Sequence, residues 1–176
     1  MKEISTEIEI NAPAEKVWQV LTDFAHFPDW NPFIREIIGS VVEGSRLEIH
    51  ISTSSGKNRT YKPTLTKIEP NHELRWYGKG LLPGLLNGER IFTIEQLAQN
   101  HVRMIHREIF TGLGTFFTGD RMDKDIHHSF EEMNNALKKK LSMMYADLWN
   151  FRAPRIFYNQ RQNQVLYAFG YAYPVT

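Results

Sequence analysis

His106 and Glu108 stand two residues apart in the stretch Met104-Ile105-His106-Arg107-Glu108-Ile109-Phe110, and alternate positions of a strand share a face. Met104, His106, Glu108 and Phe110 therefore line one side, and Ile105, Arg107 and Ile109 the other. Both sides carry apolar residues, so alternation leaves open which of them looks inward. If the His106 side does, an imidazole and a carboxylate enter an apolar layer, where desolvation moves their pKa values towards neutrality. General acid–base chemistry such as enolisation or dehydration requires that tuning, with His106 and Glu108 as the candidate catalytic pair. The alternative is an ordinary surface or hydrogen-bonded pair.

Bulky rings form the second group. Trp30, Phe33, Trp76, Phe92, Phe110, Phe116, Phe117 and Phe130 are the side chains expected between a sheet and a helix, as a solid core or as the lining of a ligand pocket. Trp76 and Phe92 are the leading lining candidates. Metal chemistry finds little support. The chain has no cysteine, which removes disulfides, thiol catalysis and thiolate ligands together. His127 and His128 are adjacent, so on a helix they point about 100° apart, and no His-x-x-x-His pair occurs. No metal and no cofactor are expected. Neither a phosphate-binding glycine motif nor a nucleophile elbow is present, and Lys138-Lys139-Lys140 reads as a solvated helix face.

The element that must position these groups runs from about Asp120 to Trp149. Met122, Ile126, Phe130, Met133, Leu137, Leu141, Met144 and Leu148 recur there at steps of three and four, which is one stripe of a helix. Asp123, Lys124, Glu131, Glu132, Lys138 and Lys139 fall on the wet face. At 1.5 Å per residue this helix is roughly 45 Å long and needs a broad partner.

The preceding chain supplies one. Residues 4–10 alternate as a strand with one wet face, and Asn11-Ala12-Pro13 offers an N-cap candidate and an early proline for a short helix ending near Asp23. Residues 25–33 are broken by two prolines and rich in aromatics, a bent connector that packs. Strands are predicted over about 34–43, 46–53, 59–69, 72–78, 88–97 and 101–111, with turns short enough for antiparallel neighbours. The stretch 79–87 carries four leucines where a loop is normally polar, which makes it either a loop stapled to the core or a lid. The order predicts an α+β fold in which a seven-stranded antiparallel sheet packs one face on a long helix. A twisted sheet cannot touch a straight helix everywhere, so a cavity between them is a geometric expectation.

Length and composition agree with one main domain. The 176 residues are 41% hydrophobic and 23% charged, and the formal net charge is +1. That balance gives no general pull towards nucleic acid or an anionic membrane. Residues 1–5 lack the apolar core of a signal peptide, and no apolar run approaches the roughly 20 residues of a membrane span. A cytoplasmic protein is the expectation.

The order of elements and several phrases resemble the START/Bet v 1-like (SRPBCC) superfamily, and within it bacterial polyketide cyclase/dehydrase-like proteins. The phrases are Ala12-Pro13-Ala14-Glu15-Lys16-Val17-Trp18, Phe27-Pro28-Asp29-Trp30-Asn31-Pro32-Phe33, Glu73-Leu74-Arg75-Trp76, and His106-Arg107-Glu108-Ile109-Phe110 followed by Gly112-Leu113. The resemblance covers residues 1 to about 145 and implies a helix-grip fold with an apolar cavity for a small hydrophobic ligand, lipid- or polyketide-like. The superfamily includes cyclases, lipid carriers, hormone receptors and co-chaperones, so activity does not follow from fold. Three readings stay open: a ligand-binding protein, a polyketide cyclase or dehydratase using His106 and Glu108, and an interaction protein resembling activators of a chaperone ATPase.

Residues 1–150 form the expected helix-grip domain, and 151–176 a C-terminal extension of different composition. The extension has three arginines, no acidic residue and seven aromatics, against 18 basic and 20 acidic residues elsewhere. Three arginines are few for a nucleic-acid arm. Val165, Tyr167, Phe169, Tyr171 and Tyr173 alternate as a strand, which would add to a sheet edge in its own subunit or across a homodimer.

Overall fold

A computed structural model describes residues 1–52, 58–79, 87–116, 119–152, 155–159 and 164–168. In chain order these form β1 (Lys2–Ile10), α1 (Ala14–Thr22), a 3₁₀ helix (Phe24–Asp29), β2 (Ile34–Ile38), β3 (Glu48–Ser52), β4 (Asn58–Tyr61) and β5 (Thr64–Glu69). There follow β6 (Glu73–Lys79), β7 (Asn87–Ala98), β8 (His101–Thr111), a second 3₁₀ turn (Leu113–Phe116), α2 (Asp120–Arg152), β9 (Arg155–Asn159) and β10 (Gln164–Ala168). The chain divides into two units, Met1–Lys140 and Leu141–Thr176. The leucine-rich stretch expected as a stapled loop or a lid (residues 80–86), Phe117 and the aromatic positions 169–173 lie outside the described residues.

Short connections give antiparallel neighbours throughout the first unit. One sheet has the order β1-β8-β7-β6-β5 and the other β2-β3-β4, with a bridge between Arg46 and Thr64. The expected strand over 59–69 is therefore two strands, and the described residues of this unit form five strands in one sheet and three in the other. Pro63 is the physical reason, because it brings no N–H to a ladder. Its carbonyl accepts from the Leu47 N–H at 2.8 Å instead. The strand expected to reach residue 43 stops at Ile38. Gly39 follows at φ +140°, where a Cβ would lie 2.7 Å from Leu47 Cδ2, so the chain turns there in a conformation that favours glycine.

The N-cap of α1 also differs from the expectation. Pro13 takes that position in an extended conformation, and its carbonyl accepts from Lys16 and Val17. Asn11 serves another purpose: its Oδ1 lies 2.7 Å from Nδ1 of His101, which ties the end of β1 to the start of β8. The connector packs as foreseen, with Phe24 and Phe27 buried and Asn31 Oδ1 accepting from the N–H groups of Phe33 and Ile34 at 3.1 and 2.8 Å.

Register decides what meets α2. Thr6, His106, Phe92 and Leu74 lie opposite one another across β1, β8, β7 and β6, and Ile4, Glu108, Arg90 and Trp76 form the next row. Val102, Met104 and His106 are each 0% exposed, so the side of β8 that carries His106 and Glu108 is the inward one. The other side of the sheet is charged. Arg75 pairs there with Glu73 and Glu89, and Arg103 with Glu9 and Glu95. On α2, Phe130, Met133 and Leu137 are buried as the stripe predicts, together with Asn134, while Lys124, Glu131, Glu132, Lys138 and Lys139 are exposed. Further along the expected stripe Leu141 is buried and Met144 exposed, and the side chain of Leu148 lies outside the described ones.

In the second unit β10 pairs with β9 in antiparallel register, Val165 opposite Tyr158 and Tyr167 opposite Ile156. The expected strand is present from Gln164, and its partner is β9, a strand that the sequence pattern did not mark.

The helix face gives a direct test. Leu137→Ala should lower the unfolding free energy by about 2–5 kcal/mol in chemical denaturation, as for other buried leucines, whereas Asn135→Ala on the exposed face should change it by about 0.5 kcal/mol or less.

Candidate functional site

His106 sits at the centre of the inward face and is wholly buried. Its ring stacks on Phe130 of α2, with centroids 3.8 Å apart and planes 12° from parallel, and Phe92 of β7 packs at 4.4 Å. The contacts continue as a chain of rings. Trp76 meets Phe92 at 5.2 Å and Phe24 at 6.5 Å, Phe24 meets Phe27 at 5.8 Å, and Phe27 meets Trp30 at 4.9 Å. Phe110 joins from the other side in a buried cluster with Ile4 and Phe130. The sequence-derived residues Trp30, Trp76, Phe92, Phe110 and Phe130 thus form one connected layer. Trp30 reaches it only through Phe27 and is half-buried.

Polar groups enter this layer at two points. The first is a hydrogen-bonded chain. Asn134 of α2 holds its Oδ1 3.3 Å from His106 Nδ1, and its Nδ2 donates to Thr6 Oγ1 of β1 at 3.0 Å. Thr6 and Asn134 also line an open depression of about 510 Å³ between β1 and α2, bordered by Ser5, Glu7, His127, Glu131 and Asn135. The chain thus runs from solvent to the imidazole. The second point is an ion pair. Arg90 donates from Nε and Nη2 to Oε2 of Glu108, at 3.1 and 2.5 Å. The guanidinium also lies 4.7 Å from the Phe130 ring centroid and 5.7 Å from that of Phe33, close enough for cation–π attraction.

Phe33, expected beside the other rings, is thus brought to the site through Arg90. His106 and Glu108 share one face, the inward one, a choice the sequence left open, and their partners differ: Asn134 for one, Arg90 for the other.

Burial pushes the His106 imidazole well below its usual pKa of 6.5, away from neutrality and not towards it as expected, because desolvation penalises the charged ring; the charge of Arg90 adds to that and the bond to Asn134 opposes it. The ring is neutral at pH 7. Its Nε2 has no hydrogen-bond partner among the described residues.

One row further along, the layer thins. Gly78 and Gly88 are opposite each other on β6 and β7, and Phe110 lies opposite Gly88 on β8. A Cβ at Gly88 would lie 2.7 Å from Glu108 Oε1, so this glycine lets the carboxylate sit where it does. A Cβ at Gly78 would meet only Pro63 Cβ at 3.7 Å and the Gly88 carbonyl at 3.9 Å. The middle of the layer is filled by rings, and the side-chain-free part of its floor lies beside Glu108.

Sequence reasoning missed Arg90, Asn134, Thr6 and the two glycines as parts of a site. The signal for Arg90 and Gly88 was available: they precede Phe92 by two and four residues, so strand alternation puts them on its face. Asn134 lies four residues after Phe130 and was hidden by its polarity.

Among the described residues, no group of three or more histidine, cysteine or acidic side chains could hold a metal ion, and no helix is long and apolar enough to cross a membrane.

The family model described as polyketide cyclase/dehydrase and lipid transport matches residues 1–142. The chain belongs to that family. Solved structures agree on the fold. A START superfamily protein from Mycobacterium smegmatis is 17% identical, with a TM-score of 0.66 over 81% of this chain and 98% of its own. A protein from Mesorhizobium loti gives 17% identity and a TM-score of 0.63 over 81% and 98%. The Zhui aromatase/cyclase from Streptomyces sp. R1128 gives 14% identity and a TM-score of 0.63 over 79% and 92%. No curated protein sequence matches. With this polyketide cyclase/dehydrase family membership, the START-like helix-grip expectation holds, an α+β fold with a long C-terminal helix packed on an antiparallel sheet.

The buried histidine gives a pH signature. Its folded-state pKa is depressed, so the unfolded chain binds more protons as pH falls below about 6.5, and the stability present above that value is lost towards acid. The slope should approach about 1.4 kcal/mol per pH unit below pH 6. His106→Phe should remove this part of the slope in denaturation curves taken from pH 8 to pH 5; equal slopes in both proteins would show that His106 binds protons alike in the folded and unfolded chain.

Proposed function

We propose that this protein binds a small hydrophobic molecule between the sheet and α2, over Gly78 and Gly88, with its polar end towards Arg90, Glu108 and His106. The observation that carries this reading is the inward face itself: a run of buried rings interrupted by a neutral imidazole, an ion pair and two opposed glycines. A purely structural layer has no use for those interruptions, whereas ligand sites are apolar with a few placed polar groups. The family's description, which includes lipid transport, supports the same reading.

Nile red should bind the folded protein in a one-to-one ratio. Gly78→Leu should weaken that binding at least about tenfold while leaving the melting temperature nearly unchanged, because the new side chain covers the bare floor. Unaltered binding in Gly78→Leu would move the ligand elsewhere.

A second reading, catalysis of the cyclase or dehydratase kind, is favoured by the unpartnered Nε2 of His106. The free lone pair of the neutral imidazole can take a proton from the carbon next to a carbonyl, although its lowered pKa makes it a weaker base than free histidine, while Arg90 lies near enough to polarise the oxygen. The check is deuterium exchange at the methyl group of 2-acetylnaphthalene in heavy water. Exchange above the buffer rate that falls by about 100-fold or more in folded His106→Phe supports catalysis; exchange at the buffer rate with the probe bound leaves a binding protein.

A further inference from the structure

His106 uses one of its two ring nitrogens. Asn134 turns Oδ1 towards Nδ1, and its Nδ2 is engaged by Thr6 Oγ1. A carbonyl oxygen can only accept, so Nδ1 carries the proton, and in the neutral ring Nε2 is left as an acceptor. That nitrogen is buried and meets no donor among the described residues. Buried polar atoms in native proteins are paired in about nine cases of ten, so an open acceptor here calls for a partner beyond the described residues, and a bound molecule can supply one. The rings that flank the imidazole, Phe92 and Phe130, have no proton to give, and Arg90 directs Nε and Nη2 to Glu108.

Charge narrows what that partner can be. Arg90 and Glu108 neutralise each other beside the ring, so a carboxylate entering the site would meet Glu108 and have to displace it. A hydroxyl faces no such opposition, and it recovers the hydrogen bond lost from water by donating to Nε2. Resting on the binding reading above, we propose that the molecule held over this face is uncharged and carries a hydroxyl group, of a phenol, an enol or an alcohol, that donates to Nε2 of His106. Asn134 and Thr6 are then positioning residues. They touch no ligand and decide which nitrogen is open.

Three matched probes test this: 2-naphthol, 2-methylnaphthalene and 2-naphthoate, which differ only in the group attached to the ring. Binding is followed by titration at pH 7.5, on the wild-type protein and on His106→Phe, which keeps a ring in the stack. The wild type should bind 2-naphthol about tenfold more tightly than 2-methylnaphthalene, the contribution of one buried hydrogen bond, and 2-naphthoate more weakly than either. His106→Phe should lose the preference for 2-naphthol over 2-methylnaphthalene. Because that variant could fail to fold, the ¹⁵N resonance of His106 Nε2 is followed in the wild type as well, where 2-naphthol should move it and 2-methylnaphthalene should not. Tighter binding of 2-naphthoate, a preference that survives in His106→Phe, or a naphthol complex with an unmoved Nε2 resonance would overturn the hydroxyl assignment while leaving the binding site in place. Failure of all three probes to bind the wild type would overturn both.

Discussion

Antiparallel register between β1, β8, β7 and β6 is the constraint on which everything else in the first unit depends. Side chains alternate with a period of two, so a slip of one residue in β8 would send His106 and Glu108 to the charged outer side and bring Ile105, Arg107 and Ile109 inward. Each strand helps to hold the alignment. Inward positions carry Ile4, Phe92, Met104 and Trp76, and outward positions carry the ion pairs of Arg75, Arg103 and Arg107. Both faces penalise the same error. The turn at Gln99 and Asn100 and the tie from Asn11 to His101 close one end of that arrangement, where β8 begins.

Within this frame the polar groups of the inner face are economical in charge. One ring is neutral by burial, and one cation is matched to one anion. Arg90 has three tasks at once: it holds Glu108, lies against two phenylalanine rings, and adds to the field that keeps a proton off His106. Lysine could not repeat this, because the planar fork both donates twice and packs flat on a ring. Gly88 completes the arrangement by leaving room for the carboxylate.

Much of this was legible in the sequence, and the reasons are local. The helical stripe around Phe130, Met133 and Leu137, the alternation in β1, and the shared face of Met104, His106, Glu108 and Phe110 are periodic signals that survive folding unchanged. What could not be read was anything that depends on two distant strands meeting. Which side of β8 looks inward follows from β1, about a hundred residues earlier, and the ion pair follows from the β7–β8 register. Boundaries slipped where single residues overrode the pattern, as at Pro63 and Gly39. Asn134 was unreadable for a different reason: a polar residue on a helix counts as wet until a buried partner is known, and here the partner is the imidazole.

The pairing of β1 with β8 also has a consequence for how the chain comes to be folded. Lys2 lies opposite Phe110 and Ile10 opposite Val102, so β1 is synthesised about a hundred residues before the strand it pairs with. At 5–20 residues per second the ribosome needs about 5–20 s to deliver β8 after β1 has emerged. Through that interval β1 is an unpaired strand tethered by a long loop, and such long-range pairing is the slow part of folding. Its own composition suits the wait. Glu3, Ser5, Glu7 and Glu9 alternate with its apolar residues and keep the growing segment hydrated. The imidazole arrives later still, and Asn134, which orders it, later than that. The inner face therefore exists only once nearly the whole first unit has been made.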